Sequence, residues 1–163
     1  MAQENLNLDF SKTVIIDTQQ MDWQPSPAEG VYRKPLSRAY SEQGHATSIV
    51  QYKAGSSFPE HGHPLGEEIL VLSGVFSDET GNYPAGTYLR NPPGFSHAPF
   101  SKDGCTLFVK LHQFASNDRR RVVIDTHLEP WLPGQGNLQV MPLGSISKMA
   151  SGRAVPTAPT FRR

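Results

Sequence analysis

Residues 55–101 read GSSFPEHGHPLGEEILVLSGVFSDETGNYPAGTYLRNPPGFSHAPFS. Short apolar runs alternate here with Gly, Pro, Asn and Asp, the residues that form tight turns. The runs are rich in Val, Ile, Leu, Tyr and Phe, and none keeps a helical period. Short strands at such spacing are typical of a sandwich or barrel, so the middle of the chain is predicted to be all-β.

Three histidines and a glutamate in this segment are spaced like metal ligands. His61 and His63 are two residues apart, so on a strand their imidazoles face the same side. Glu67 follows a bend that contains Pro and Gly, and His97 comes just after a Pro-Gly turn. Nitrogen ligands suit Zn, Fe, Ni or Cu, the carboxylate also allows Mn, and Mg or Ca would need more oxygens. One divalent transition metal is therefore expected, with its identity left open.

The same segment resembles the two motifs of the cupin family. The first motif is glycine, five residues, His-x-His, three or four residues, glutamate, six residues and glycine, and Gly55 to Gly74 match it throughout. The second is glycine, five residues, proline, one residue, glycine, two residues, histidine, three residues and asparagine. Gly86 to Ser101 match it except that Ser101 replaces the asparagine. The resemblance implies a cupin double-stranded β-helix, which is a jelly-roll barrel.

In that fold the metal lies inside the mouth of the barrel. Glu68 competes with Glu67 as the carboxylate ligand, but only Glu67 keeps the six-residue spacing to Gly74. Glu68 is then expected to point out of the barrel. The matching ligands are His61, His63, Glu67 and His97.

The chain of 163 residues suits one domain. We predict a single cupin domain over residues 1–144, with an N-terminal arm and a motif core at 55–101. Residues 145–163 are small, polar and poor in apolar side chains, so a flexible C-terminal tail is predicted there. The lead-in Trp23-Gln24-Pro25 recurs as Trp131-Leu132-Pro133, which suggests the remnant of a two-cupin chain. Residues 136–143 are accordingly predicted to form an edge strand.

Strand predictions outside the motifs rest on alternation and on turn residues. Gly74 is expected to end the strand that begins at Glu67, and Val31–Leu36 is expected to be an edge piece. The predicted strands are Lys12–Asp17, Val31–Leu36, residues 45–52, Phe58–His63, Glu67–Leu72 and Cys105–Phe114.

Composition excludes several classes of partner. Lys plus Arg and Asp plus Glu both number 15, so no net charge would attract nucleic acid or an anionic membrane. No apolar run approaches the ~20 residues of a membrane span, and the N-terminus does not read as a signal peptide. The single Cys105 fits a reducing cytoplasm. Both faces of Glu67–Leu72 are apolar, so a homodimer that covers one of them is expected.

A few other side chains are candidates for the pocket. Arg90 would bind an acidic substrate group if it points inward, which alternation does not decide. Aromatic residues near the second motif would either line the pocket or belong to the ordinary core. Two further histidines would either donate protons near the pocket or face solvent. These aromatic and histidine candidates are Phe95, Phe100, Phe108, His45 and His112.

More narrowly, residues 61–101 resemble the cupin half of ChrR-type anti-sigma factors and acetylacetone-dioxygenase-like single cupins. The second resemblance implies a metal-dependent, Fe-type dioxygenase-like enzyme acting on a small dicarbonyl, and we favour this hypothesis. The first implies a non-catalytic zinc-binding sensor or binding module. The chain lacks the His and Cys residues of the separate zinc domain that holds the sigma factor, so sigma inhibition is not carried over. Catalytic residues stay unassigned.

Overall fold

The computed structural model describes residues 5–39, 44–143 and 159–162. These ranges contain strands and no helix, which confirms the all-β class, and so they include no long apolar helix of the kind that crosses a membrane. The strands are β1 (Gln24–Pro25), β2 (Val31–Arg38), β3 (Ala46–Tyr52), β4 (Ser56–Ser57), β5 (His61–His63), β6 (Glu67–Asp78), β7 (Gly81–Pro84), β8 (Thr87–Asn91), β9 (Phe95–His97), β10 (Phe100–Ser101), β11 (Cys105–Leu111), β12 (Val122–Asp125), β13 (Leu132–Pro133), β14 (Gln139–Pro142) and β15 (Pro159–Arg162).

Ten of these strands form one strongly curled antiparallel sheet. Its order runs β1-β2-β3-β11-β6. The first half of β6 also pairs with β8, which in turn pairs with β12. The second half of β6 pairs with β7 and β10. Because β6 has a partner strand on each side along both of its halves, its inner face forms the floor of the barrel.

The prediction that Gly74 ends β6 is wrong, because the strand bends at Gly74 and continues to Asp78. Gly74 has a φ of 71°, and a Cβ placed there would lie 2.1 Å from the carbonyl oxygen of Gly104. The pairing with β11 shifts register just before this point, leaving Leu72 as an extra residue. A bulge of this kind sharpens the local twist, so it directs the second half of β6 toward different partners.

Three other strand predictions need correction. Residues 13–17 form no strand, and Val14 and Ile15 are 47% and 92% exposed, because no neighbouring strand pairs with this segment. The piece beginning at Val31 is the longer β2, which lies between β1 and β3 and is not an edge. Of the predicted strand Phe58–His63 only His61–His63 is a strand, β5, which pairs with β9, while the separate β4 precedes the predicted range and pairs with β10.

Apolar side chains pack in two clusters. The inner cluster lies inside the curled sheet and includes Val31, Ile69, Val71, Phe76 and Leu107. The outer cluster covers the other face of β6 and β8 and consists of Tyr88, Met141 and Leu143, packed with Leu70, Val122, Ile124 and Trp131.

The outer cluster brings the C-terminal segment onto the barrel. The strand predicted at 136–143 is present as β14, but it pairs with both β13 and β15, so it is the central strand of a small sheet and not an edge. Residues 145–158 and 163 of the predicted tail lie outside the described residues, and residues 159–162 form β15. The chain's own segment therefore covers Leu70, whereas Leu72 stays 46% exposed.

Candidate metal centre

Two short strands bring the three motif histidines together. β5 and β9 pair antiparallel with His61 directly opposite His97. The two-residue spacing of a strand places His63 on the same face as His61. The nearest ligand atoms of the three imidazoles all lie within 4.8 Å of one another. The structure thus places the imidazoles of His61 and His63 side by side, as the His-x-His spacing predicts.

The distances within the cluster suit one metal ion. His63 Nε2 and His97 Nε2 are 3.2 Å apart. With metal–nitrogen bonds of about 2.0–2.1 Å, two nitrogens on one ion lie roughly 3.0–3.4 Å apart. Glu67 Oε1 lies 3.5 Å from His63 Nε2, and Glu67 Oε2 lies 3.6 Å from His97 Nε2. The carboxylate therefore adjoins two of the three imidazoles.

Glu67 and Glu68 face opposite sides of β6, as alternation requires. Glu67 is 5% exposed and accepts a 3.1 Å hydrogen bond from Asn91 Nδ2, the residue opposite it on β8. Glu68 lies on the outer side, where Tyr88 and Gln113 donate to its two oxygens. Only Glu67 is thus available to the histidine cluster.

Hydrogen bonds to the outer ring nitrogens orient two of the imidazoles. His61 Nδ1 lies 2.8 Å from the carbonyl oxygen of Pro59, and His97 Nδ1 lies 3.4 Å from Asp78 Oδ2. Each acceptor favours a proton on Nδ1, which leaves the Nε2 lone pair directed at the cluster. Asp78 is itself held by Thr80, whose backbone N–H donates to Oδ1 at 2.8 Å.

Burial sets the protonation of the cluster. It lowers the pKa of His63 to about 3 and also lowers the pKa of His97, so both rings are neutral near pH 7. It raises the pKa of Glu67, a tendency that a bound cation would reverse. Burial also acts to raise the pKa of Asp78, but the hydrogen bonds from Thr80 together with the interaction with His97 outweigh it and lower that pKa. His63 and His97 are therefore neutral, as metal binding requires, and the carboxylate of Asp78 beside His97 is ionised.

The cluster forms one wall of a cavity of about 140 Å³ inside the barrel. Besides the histidines, the aromatic residues that line it are Tyr52, Phe58 and Phe76. The remaining wall is mostly apolar and includes Val31, Val50, Ile69, Leu107 and Val109. Such a wall limits water around a bound ion.

Phe95, Phe100 and Phe108, which were candidates for the lining, are not among the residues that line the cavity. Phe95 packs against His97, with ring centres 5.5 Å apart. Phe100 is 40% exposed, and Phe108 alternates away from Leu107, which faces the cavity. The positions of Phe58 and Phe76 depend on the curl of the sheet, which a single strand's pattern does not show.

The other candidates lie away from the cavity. Arg90 is 1% exposed, pairs with Asp118 and stacks on the ring of Phe114, so it does not meet a substrate there. His112 Nδ1 lies 3.1 Å from the carbonyl oxygen of Gly44. His45 is exposed. His45 thus faces solvent and His112 makes a polar contact with the backbone, so neither has the predicted role near the pocket.

Sequence reasoning missed Asp78 and Asn91, which position His97 and Glu67. The signal for Asp78 was the Asp-x-Thr pattern at residues 78–80, which indicates a side chain anchored at a turn. Asn91 lies within the second motif at a position the motif leaves free. Its role follows only from the register of β6 with β8.

A model of the ChrR cupin-like domain family matches residues 11–115, which include both motifs and all four predicted ligands. The chain belongs to this family. Among curated proteins no significant match was found.

Solved structures share the fold of this cupin at low sequence identity. An acetylacetone dioxygenase from Acinetobacter johnsonii is 21% identical with a TM-score of 0.54, over 68% of this chain and 80% of that one. A Methylibium petroleiphilum protein provisionally described as an acetylacetone dioxygenase is 19% identical with a TM-score of 0.57, over 78% and 96%. The structure of Rhodobacter sphaeroides SigE in complex with the anti-sigma ChrR matches at 24% identity with a TM-score of 0.49, over 58% of this chain and 50% of that one. The two likenesses with a TM-score above 0.5, both to proteins described as acetylacetone dioxygenases, confirm the cupin jelly-roll fold.

Proposed function

We propose that this cupin binds one divalent transition metal and acts as a dioxygenase-like oxidoreductase on a small dicarbonyl compound. The observation that carries the proposal is that three imidazoles, two of them held neutral by burial, and one carboxylate converge on the wall of a mostly apolar cavity. The proposed ligands are His61, His63, Glu67 and His97.

The donor set fits a redox-active ion such as Fe(II). Iron held by His61, His63, Glu67 and His97 would supply a redox-active Lewis acid able to bind both a chelating substrate and O₂. The protein's own part is to orient and to exclude water. Asp78 holds the ring of His97, Asn91 holds the carboxylate of Glu67, and the apolar walls keep bulk water from the reacting atoms. Similarity in fold to an acetylacetone dioxygenase supports a dicarbonyl as the substrate class.

A second candidate is a zinc-binding sensor or binding module without turnover. Membership of the ChrR cupin-like family favours it, since the structure named for ChrR is a complex of an anti-sigma protein with SigE. The match spans half of that chain, so its regulatory role is not transferred to this one. Under this alternative the same four ligands hold zinc.

Metal analysis and oxygen uptake separate the two candidates. Protein purified without chelators should contain one metal per chain, and His61→Ala and His97→Ala should each lose most of it. Both variants should also melt at lower temperature, because a ligand that binds only the folded state stabilises it. His45→Ala, an exposed histidine outside the cluster, is the matched control and should keep its metal.

The iron-loaded protein should then consume O₂ when acetylacetone is added. Tightly held zinc, with no oxygen uptake after reconstitution with Fe(II), would instead support the sensor. Full metal content at wild-type affinity in either histidine variant would show that the ligand assignment is wrong.

A further inference from the structure

Two arginines from the same strand line the cavity that holds the metal site. Arg33 and Arg38 lie five positions apart on β2. In a regular strand an odd separation would send them to opposite faces. The pairing of β2 with β3 shifts register between Pro35 and Ser37, so that one extra residue restores both arginines to the inner face. Bulges that re-aim side chains are common next to binding sites.

Arg33 reaches the neighbourhood of the histidines. Its guanidinium carbon lies 5.7 Å from the centre of the Phe58 ring, and that ring lies 4.8 Å from the ring of His61. Burial lowers the pKa of Arg33, and Arg38 beside it adds to this effect. A partly buried cation next to a second cation is costly unless an anion joins them.

The described part of the cavity offers Arg33 no such anion. Glu67, at the metal site, is the one carboxylate among the described lining residues. No salt bridge of Arg33 occurs within the described ranges. With a divalent ion bound, Arg33 and the ion together would carry more positive charge than Glu67 carries negative charge. The electrostatics therefore favour a negatively charged ligand over a neutral one.

We propose that Arg33, with Arg38 beside it, binds the carboxylate of a small keto or dicarbonyl acid whose carbonyl oxygens face the metal site. This inference rests on the proposed function and narrows its substrate class from neutral diketones to organic acids. The planar guanidinium presents paired N–H donors that match the two oxygens of a carboxylate. The apolar wall between the arginines and the histidines accepts the carbon skeleton.

Acetylpyruvate and acetylacetone make a matched pair of probes, because the first carries a carboxylate where the second has a methyl group. Calorimetric titration of the zinc-loaded protein measures binding without turnover. We expect acetylpyruvate to bind about tenfold more tightly than acetylacetone, the factor that one charge-assisted hydrogen bond typically supplies. Arg33→Gln should remove that preference while leaving zinc content unchanged, and Arg33→Lys should keep part of it.

Arg119→Gln is the control, since Arg119 is exposed outside the cavity and the substitution changes net charge equally. It should leave both affinities as in the wild type. A wild-type protein that forms no one-to-one zinc complex would overturn the proposed function itself. A normal zinc complex that binds the two probes equally, binds no acetylpyruvate, or loses affinity for both probes alike in Arg33→Gln would overturn the carboxylate site and leave the metal site standing.

Discussion

At the scale of single residues, the side chain of Asp78 connects the metal site to the rest of the fold. One oxygen faces His97 Nδ1 at 3.4 Å, and the other accepts hydrogen bonds from Thr80 and Tyr83. Arg121 joins this hydrogen-bond network by donating to Thr80 Oγ1 at 2.7 Å. A carboxylate that orients a metal-binding imidazole fixes its tautomer and raises its basicity. Asp78 is therefore a positioning residue.

Replacing Asp78 by Asn tests that role. The amide can present N–H toward His97 Nδ1 and favour the wrong tautomer, and it carries no charge. We expect metal affinity to fall by about 10- to 100-fold, measured by competition with a chelator of known affinity. Asp22→Asn, an exposed substitution of the same charge, should leave the affinity unchanged. A lower melting temperature with unchanged metal affinity would assign Asp78 to folding alone.

Residue identities at the site were largely predictable from sequence, and their supporting contacts were not. The two motifs fix the positions of His61, His63, Glu67 and His97 by spacing along the chain. Arg90 was ambiguous because alternation does not say which face of β8 is inner. Arg33 and Arg38 could not be paired, since the bulge that aligns them exists only in the contact between β2 and β3.

At the scale of elements, an ion pair anchors β8 to the loop between β11 and β12. Both terminal nitrogens of Arg90 donate to the carboxylate of Asp118, and Nη1 also donates to the carbonyl oxygen of Arg120 at 2.8 Å. Arg90 is almost fully buried, whereas the Asp118 side chain is 26% exposed. The pair holds residues 118–120 against the strand that carries Asn91.

This ion pair predicts a pH dependence of stability. Hydrogen bonds from Arg90 lower the pKa of Asp118 to about 2, below the usual 3.8. The folded-state pKa lies below the unfolded value, so the stabilisation is complete above about pH 4 and is lost as the pH falls through about 2. Asp118→Asn should cost about 2 kcal/mol of unfolding free energy at pH 7 and roughly half of that at pH 3.

Urea unfolding of wild type and variant, each measured at both pH values, gives the two differences. Asp22→Asn, which makes no ion pair within the described residues, should give a difference near zero at both pH values. A difference for Asp118→Asn that stays constant between pH 7 and pH 3 would contradict the ion-pair explanation.

Individual strands differed in how well sequence predicted them, and the difference follows pairing. β3 alternates cleanly between buried and half-buried residues, and its predicted bounds are nearly correct. Gly74 was read as the end of a strand, but it lies inside β6, where the carbonyl group of Gly104 approaches too closely for any side chain. Lys12–Asp17 has the composition of a strand and lacks a neighbour. Propensity predicts a strand only where a partner is available.

At the scale of the whole molecule, the C-terminal segment alters the argument for a dimer. The homodimer was predicted because both faces of residues 67–72 are apolar. Leu70 packs in the outer cluster with Met141 and Leu143 of the same chain, so only Leu72 of this strand remains substantially exposed. The homodimer stays a prediction with less apolar surface behind it, as does the cytoplasmic location.

The same packing predicts how the fold responds to C-terminal truncation. Met141 and Leu143 are 3% and 8% exposed, and Trp131 packs beside them. Removing residues 131–163 deletes all three side chains, and each large buried apolar side chain contributes roughly 1.5–3 kcal/mol. A chain ending at Pro130 should therefore melt at clearly lower temperature. A chain ending at Gly144 loses β15 but keeps the outer cluster, so its melting temperature should be nearly unchanged.

Both truncations leave the four proposed ligands and the inner cluster intact, so metal content separates local from global effects. The chain ending at Gly144 should bind metal like the full-length protein. The chain ending at Pro130 should still bind it at temperatures where it is folded, because the outer cluster covers the opposite face of β6 from Glu67. Loss of metal from the chain ending at Gly144 would show that residues 145–163 contribute to the site and would contradict this expectation.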